Sequence, residues 1–153
     1  MKKCLLLSSM LLAGAACLAQ DFLLPLAQRS RFRVDVSGRG AQLSGICIVK
    51  TDASGSRGTL VNDFGIHVLD FTLSPDRQRL KLLNVMQPLN RWYVKKTVRK
   101  DLQMLFAATR PGLQGAKRQI DRGTDSVLTL DNARHKLRYC FKPVNDNANE
   151  TAQ

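Results

Sequence analysis

The sequence predicts a mainly β (α+β) fold: a curved antiparallel sheet, or unclosed β-barrel, of about eight strands with one amphipathic helix. Three observations predict it. Period-two alternation of apolar and polar residues recurs from Arg31 to Lys142. Connections between consecutive strands are short, as antiparallel pairing allows. Helical periodicity occurs once, between the fifth and sixth strands. Five strands, a helix and three strands cannot form a doubly wound parallel sheet, so the helix should cover one face or opening of a bent sheet.

Arg31-Phe32-Arg33-Val34-Asp35-Val36 alternates strictly and gives the first strand. Ser37 to Gly40 turns the chain into Ala41–Thr51, which is apolar on both faces around Ile46, Cys47, Ile48 and Val49. Such a strand calls for cover on both sides. Asp52 to Ser56 has turn chemistry and leads to a third strand at Arg57–Asn62. The fourth, Ile66–Leu73, places His67, Leu69, Phe71 and Leu73 on one face. After Ser74-Pro75-Asp76-Arg77 a fifth strand runs from Arg79 to Met86.

The helix occupies 88–108 and is regular from Arg91. Val94, Val98, Leu102 and Leu105 recur at spacings of four, four and three, one stripe at helical period. Arg91, Lys95 and Arg99 form a second row, with Lys96 and Lys100 beside it, and Arg110-Pro111-Gly112 ends the helix. Strands follow at Gly115–Arg122, Ser126–Leu130 and His135–Lys142, the last with Leu137, Tyr139 and Phe141 on one face.

The domain organisation is an export signal over 1–19, one β-rich domain over 20–144 and a polar, disordered tail over 145–153. Lys2 and Lys3 precede an apolar run from Cys4 to Ala16, and Cys17-Leu18-Ala19-Gln20 offers a small-x-small cleavage site. The run is shorter than the ~20 residues a membrane span needs. Cleavage after Ala19 by signal peptidase I is one processing route. The other treats Ala13-Gly14-Ala15-Ala16-Cys17 as a lipobox, with Cys17 lipidated and the protein tethered to a membrane.

Lys and Arg number 24 against 12 Asp and Glu, a formal charge of +12. In the envelope the matching anions are phospholipid headgroups, lipopolysaccharide and acidic glycans. A basic surface can equally serve only to keep a small protein soluble. Nucleic acid is not an expected partner, since aromatic residues make up only 6% of the chain and stacking platforms need them. Cys47 and Cys140 either stay free thiols or form a disulfide closing a long loop, worth ~4–5 kcal/mol on the entropic model.

Catalytic machinery is not legible. His67 and His135 lie on strands away from any nucleophile motif, and most Asp residues sit at turns. Asp70, between Leu69 and Phe71, either faces solvent or pairs with a base. No cysteine or histidine spacing suggests a metal, and no cofactor is expected.

The element order after an export signal resembles the LolA/LolB-type (lipoprotein carrier-like) envelope fold. Asn62-Asp63-Phe64-Gly65, Leu69-Asp70-Phe71, Leu89-Asn90 and Lys100-Asp101-Leu102 also resemble segments of a family of small Bacteroidota envelope proteins. These resemblances imply an unclosed barrel whose concave side can hold acyl chains. One expectation is therefore a non-catalytic, monomeric protein, periplasmic or membrane-tethered, that binds a lipid, acyl chain or similar apolar ligand. Ile46, Ile48, Leu69, Phe71, Leu82 and Trp92 are its candidate lining. The alternative is an interaction protein that docks an anionic membrane surface or envelope protein through Arg91, Lys95, Lys96, Arg99 and Lys100. That basic face can also be a solvated outer surface over a stripe that packs on the sheet.

Overall fold

Alternation gives each strand two faces, and the pairing registers of the computed structural model join those faces into two surfaces. The structure describes residues 26–106 and 117–144. The strands are β1 (Arg29–Gly38), β2 (Ala41–Asp52), β3 (Gly55–Asn62), β4 (His67–Leu73), β5 (Leu80–Leu83), β6 (Arg118–Arg122), β7 (Leu128–Asn132) and β8 (Leu137–Pro143), with α1 (Trp92–Phe106) between β5 and β6. All eight form one antiparallel sheet in the order β5-β4-β3-β2-β1-β8-β7-β6. The sheet does not close, because β5 and β6 are its two edges. The predicted fold class is the observed one.

The last strand lies beside the first. Val34 on β1 pairs with Gly45 on β2 and Phe141 on β8, and Val36 pairs with Leu43 and Tyr139. These rows form the inner face. On the outer face Arg33 pairs with Ile46 and Lys142, and Arg31 with Ile48.

The inner face is concave, and two residues of one helical turn show why. Asp101 bonds Asn132 on β7 at 2.9 Å, while Gln103 Nε2 donates to the carbonyl of Gln78, just before β5, at 2.6 Å. In a flat sheet six strand spacings, roughly 29 Å, would separate β5 from β7. A helix is only ~10–12 Å across with its side chains. One turn reaches both places only because the sheet curls around it.

The two halves of α1 pack differently. Leu102, Met104, Leu105 and Phe106 are buried, whereas Val94 and Val98 are half-buried and Tyr93 is exposed. The ring of Phe106 meets those of Phe71, Phe32 and Phe141, at centroid distances of 5.1, 6.3 and 5.6 Å. These four aromatic rings fill one end of the concavity. Aromatic clusters of this kind add to the area they bury.

Some local expectations differ. A bulge between Leu60 and Val61 pairs Leu60 with Leu69 but Val61 with His67. The phase of β4 slips there, so Val68 and Leu69 are both buried while His67 is exposed and leaves the face of Leu69. β5 ends at Leu83, and Asn84 follows with φ of 45°. Gly115 to Ala116, the Arg110-Pro111-Gly112 stop, the signal and Cys17, and the 145–153 tail all lie outside the described residues.

Candidate functional site

Away from the phenylalanine cluster, the inner face carries smaller aliphatic side chains and α1 stands over a gap. The result is an apolar cavity of about 360 Å³ between the N-terminal half of α1 and the sheet. Its base is buried: Val34, Leu60, Val68, Leu69, Leu102 and Phe141. Val36, Leu43, Val94, Val98 and Leu137 form half-buried walls. Arg39, Ala41, Gln42 and Tyr93 are exposed and mark the mouth. The volume lies within the ~300–1,000 Å³ common for small-molecule sites.

Two turns and the start of α1 frame that mouth. Gly38 and Ala41 close the β1–β2 hairpin around Arg39 and Gly40, both with positive φ, 50° and 78°. That is the two-residue hairpin geometry whose twist matches its strands. Arg39 Nε donates to the carbonyl of His135 in the β7–β8 turn, at 3.1 Å. On α1, Thr97 Oγ1 donates to the carbonyl of Tyr93 at 3.0 Å and lies 3.5 Å from His135 Nε2. Among the described residues of the lining, Arg39 is the only formally charged one, and none is Asp or Glu.

A polar knot holds the helix beside this cavity. Asp101 is fully buried on α1. Its carboxylate accepts from Arg118 Nε at 2.6 Å and from Asn132 Nδ2 at 3.0 and 2.9 Å. Tyr139 also bonds Asp101; burial first, and then the Asp101 charge, push its phenol well above the usual tyrosine range. The phenol is therefore a neutral donor at neutral pH, and the Tyr139 ring lines the cavity.

Of the six predicted lining residues, only Leu69 lines the cavity. Ile46 and Ile48 are half-buried on the opposite, convex face, between Arg33 and Val61 and between Arg31 and Thr59. No second layer covers β2 on that side among the described residues. The cover expected there is replaced by neighbouring side chains, and long arginine stems are suited to it. Phe71 lies over Gly58 and against Phe106, within the solid core. Leu82 is half-buried beside that core on β5. Trp92 is 74% exposed, and its neighbour Tyr93 takes the place at the mouth. Val34, Val36, Val94 and Val98 were legible as apolar faces of β1 and α1; what was missing was the knowledge that those two faces meet.

Arg91, just before α1, is exposed; on the helix Lys96, Arg99 and Lys100 are exposed and Lys95 is half-buried. Cys47 and Cys140 are both free. Cys47 pairs with Phe32 on the inner face, whereas Cys140 pairs with Asp35 on the outer one, so of the two alternatives the structure has the free thiols and not the disulfide. Burial pushes the Cys47 thiol up to about 12.

Asp70 pairs with a base on the convex face. Its carboxylate is 2.9 Å from His67 Nε2, 2.8 Å from Thr59 Oγ1 and 2.8 Å from Asn84 Nδ2. Burial pushes the Asp70 carboxyl up, but hydrogen bonds from His67, Asn84 and Thr59 outweigh it and leave the group below its ordinary value. Asp70 and His67 thus satisfy each other outside the cavity. No protein-family model matches this chain, and no curated protein is significantly similar to it.

Proposed function

We propose that the protein is a non-catalytic envelope protein that holds an acyl chain or similar apolar ligand between the first turns of α1 and the concave sheet. The observation that carries this reading is the apolar, solvent-reachable cavity of about 360 Å³. Unfilled apolar space costs stability in an ordinary core, by ~24 cal/mol per Å³ in large-to-small replacements. A ligand recovers the contacts that such a gap forgoes. The export signal and the resemblance to lipoprotein carriers agree with this role, with soluble and Cys17-lipidated forms as the two modes of residence.

Native mass spectrometry and displacement of an uncharged fluorescent probe test the reading. Binding that is lost when Val98→Trp fills the space supports it. Failure of the wild-type protein to take any single-chain amphiphile discards it.

A second reading is favoured by a specific feature. Trp92 and Tyr93 are exposed at the same end of α1 as Arg91 and Lys96, and their rings meet edge to face at 6.0 Å. Exposed aromatics beside cations suit an anionic membrane surface. Vesicle association that falls steeply as salt rises, and that is lost on charge reversal of Arg91, Lys96, Arg99 and Lys100, supports docking. Salt-independent association counts against it.

A further inference from the structure

The proposed ligand has two ends, and the mouth of the cavity differs chemically from its base. The base is aliphatic and aromatic. At the mouth are Arg39, Gln42, Thr97 and His135, with no carboxylate among the described residues of the lining. Arg39 uses Nε on the carbonyl of His135, and among the described residues neither terminal amino group of its guanidinium has a hydrogen-bond partner. The bond to His135 fixes the guanidinium between two turns, so those amino groups are oriented before any ligand arrives. A fixed guanidinium fork suits carboxylate or phosphate oxygens.

The surroundings reinforce that sign. Arg134 and Lys136 are exposed on either side of His135. The first turn of α1 contains no acidic residue to balance the positive end of the helix. An amphiphile bearing a cation would therefore meet like charge from the described residues at this opening.

We infer that the occupant is a single-chain amphiphile with an anionic headgroup, its chain in the cavity and its headgroup on Arg39. This inference rests on the cavity-binding proposal and adds the chemical class of the ligand. The volume of about 360 Å³ suits one chain better than the several chains of a membrane lipid or lipoprotein anchor. The carboxylate of a fatty acid and the phosphate of a single-chain lipid share the recognition chemistry. A free anion without a chain has nothing to place in the apolar base.

The test displaces N-phenylnaphthylamine, an uncharged probe, from the full-length chain with laurate, lauryl phosphate, lauryl alcohol, laurylamine, acetate and inorganic phosphate. Laurate or lauryl phosphate should compete roughly tenfold better than the alcohol, the amine should be weakest, and the small anions should not compete. In Arg39→Asn the advantage of anion over alcohol, taken as a ratio within the variant, should shrink to about twofold; Asn-Gly suits this hairpin, so the variant keeps the turn. Equal affinity for all four headgroups, or an anion preference that survives Arg39→Asn, overturns the inference and leaves the cavity proposal standing. If no chain-bearing compound competes and native mass spectrometry finds none bound, both fall together.

Discussion

Both carboxylate oxygens of Asp101 accept hydrogen bonds from the side-chain amide of Asn132, at 3.0 and 2.9 Å, with Asp101 wholly shielded from solvent. The pair binds α1 to β7 beside the apolar cavity. Arg118 supplies the compensating charge at 2.6 Å, and its side chain is 20% exposed. Replacing Asp101 by Ala strands three donors at once. Breaking a buried charged pair by removing one partner costs ~3–5 kcal/mol, and partial exposure of Arg118 favours the lower end of that range. Urea unfolding should show a loss of about 3 kcal/mol for Asp101→Ala. A loss under ~1 kcal/mol would mean that aliphatic packing alone fixes the helix.

Gly58 lies under the ring of Phe71, where an added Cβ would come within 2.1 Å of ring carbon. That ring is also packed on Phe106, so it cannot retreat without opening the aromatic cluster. Overpacking of this kind costs ~1–3 kcal/mol. Gly58→Ala should lower stability by about 2 kcal/mol in thermal or urea unfolding. Wild-type stability in this variant would show that the cluster is looser than its geometry implies.

The hydrogen bonds around Asp70 set a pH dependence whose sign is fixed. Its folded-state value is below the unfolded one, so the ionised group stabilises the fold above the unfolded Asp value of ~3.9. That contribution fades as pH falls through the lower, folded value. Asp70→Asn should therefore be less stable than wild type at pH 7, with the gap narrowing in acid below pH ~4. Denaturation series at several pH values check this, and a gap that widens on acidification would contradict it.

The two thiols should behave differently. Cys47 is 2% exposed with its thiol pushed up to about 12, while Cys140 is half-buried on the outer face. The thiolate is the reactive form. Iodoacetamide at pH 8 should label Cys140 in the native protein and reach Cys47 only after unfolding. Peptide mapping that found the two cysteines linked would contradict the opposed faces of β2 and β8.

Arg39 occupies a left-handed position that L-residues other than Asn and Asp adopt at a cost of ~1–2 kcal/mol. Arg39→Asn relieves that cost and loses the exposed bond to His135, worth ~0.5–1.5 kcal/mol. The two nearly cancel, so stability should stay within about 1 kcal/mol of wild type. Calorimetry of the free protein checks it. A large drop would show that the β1–β2 and β7–β8 turns depend on this contact to stay together.

The sequence by itself determined the strand periodicity, the single helix and its apolar stripe, because alternation and helical spacing are local properties of the chain. The charged neighbours of Phe32 and Val34 likewise showed that β1 has one apolar face. It did not determine which face of β2 turns inward, since Ile46 and Ile48 on one side are as apolar as Cys47 and Val49 on the other. Tertiary structure decided that through register: Cys47 stands beside Phe32, which commits Ile46 and Ile48 to the outside. The bulge at Val61 shifted His67 in the same way, and the pairing of β8 with β1 brought His135 to Arg39, 96 residues earlier in the chain. The cavity arises because four bulky rings crowd one end of the concavity and valines and leucines line the other. Local pattern assigns residues to faces, whereas the space between two faces depends on which side chains long-range pairing sets opposite one another.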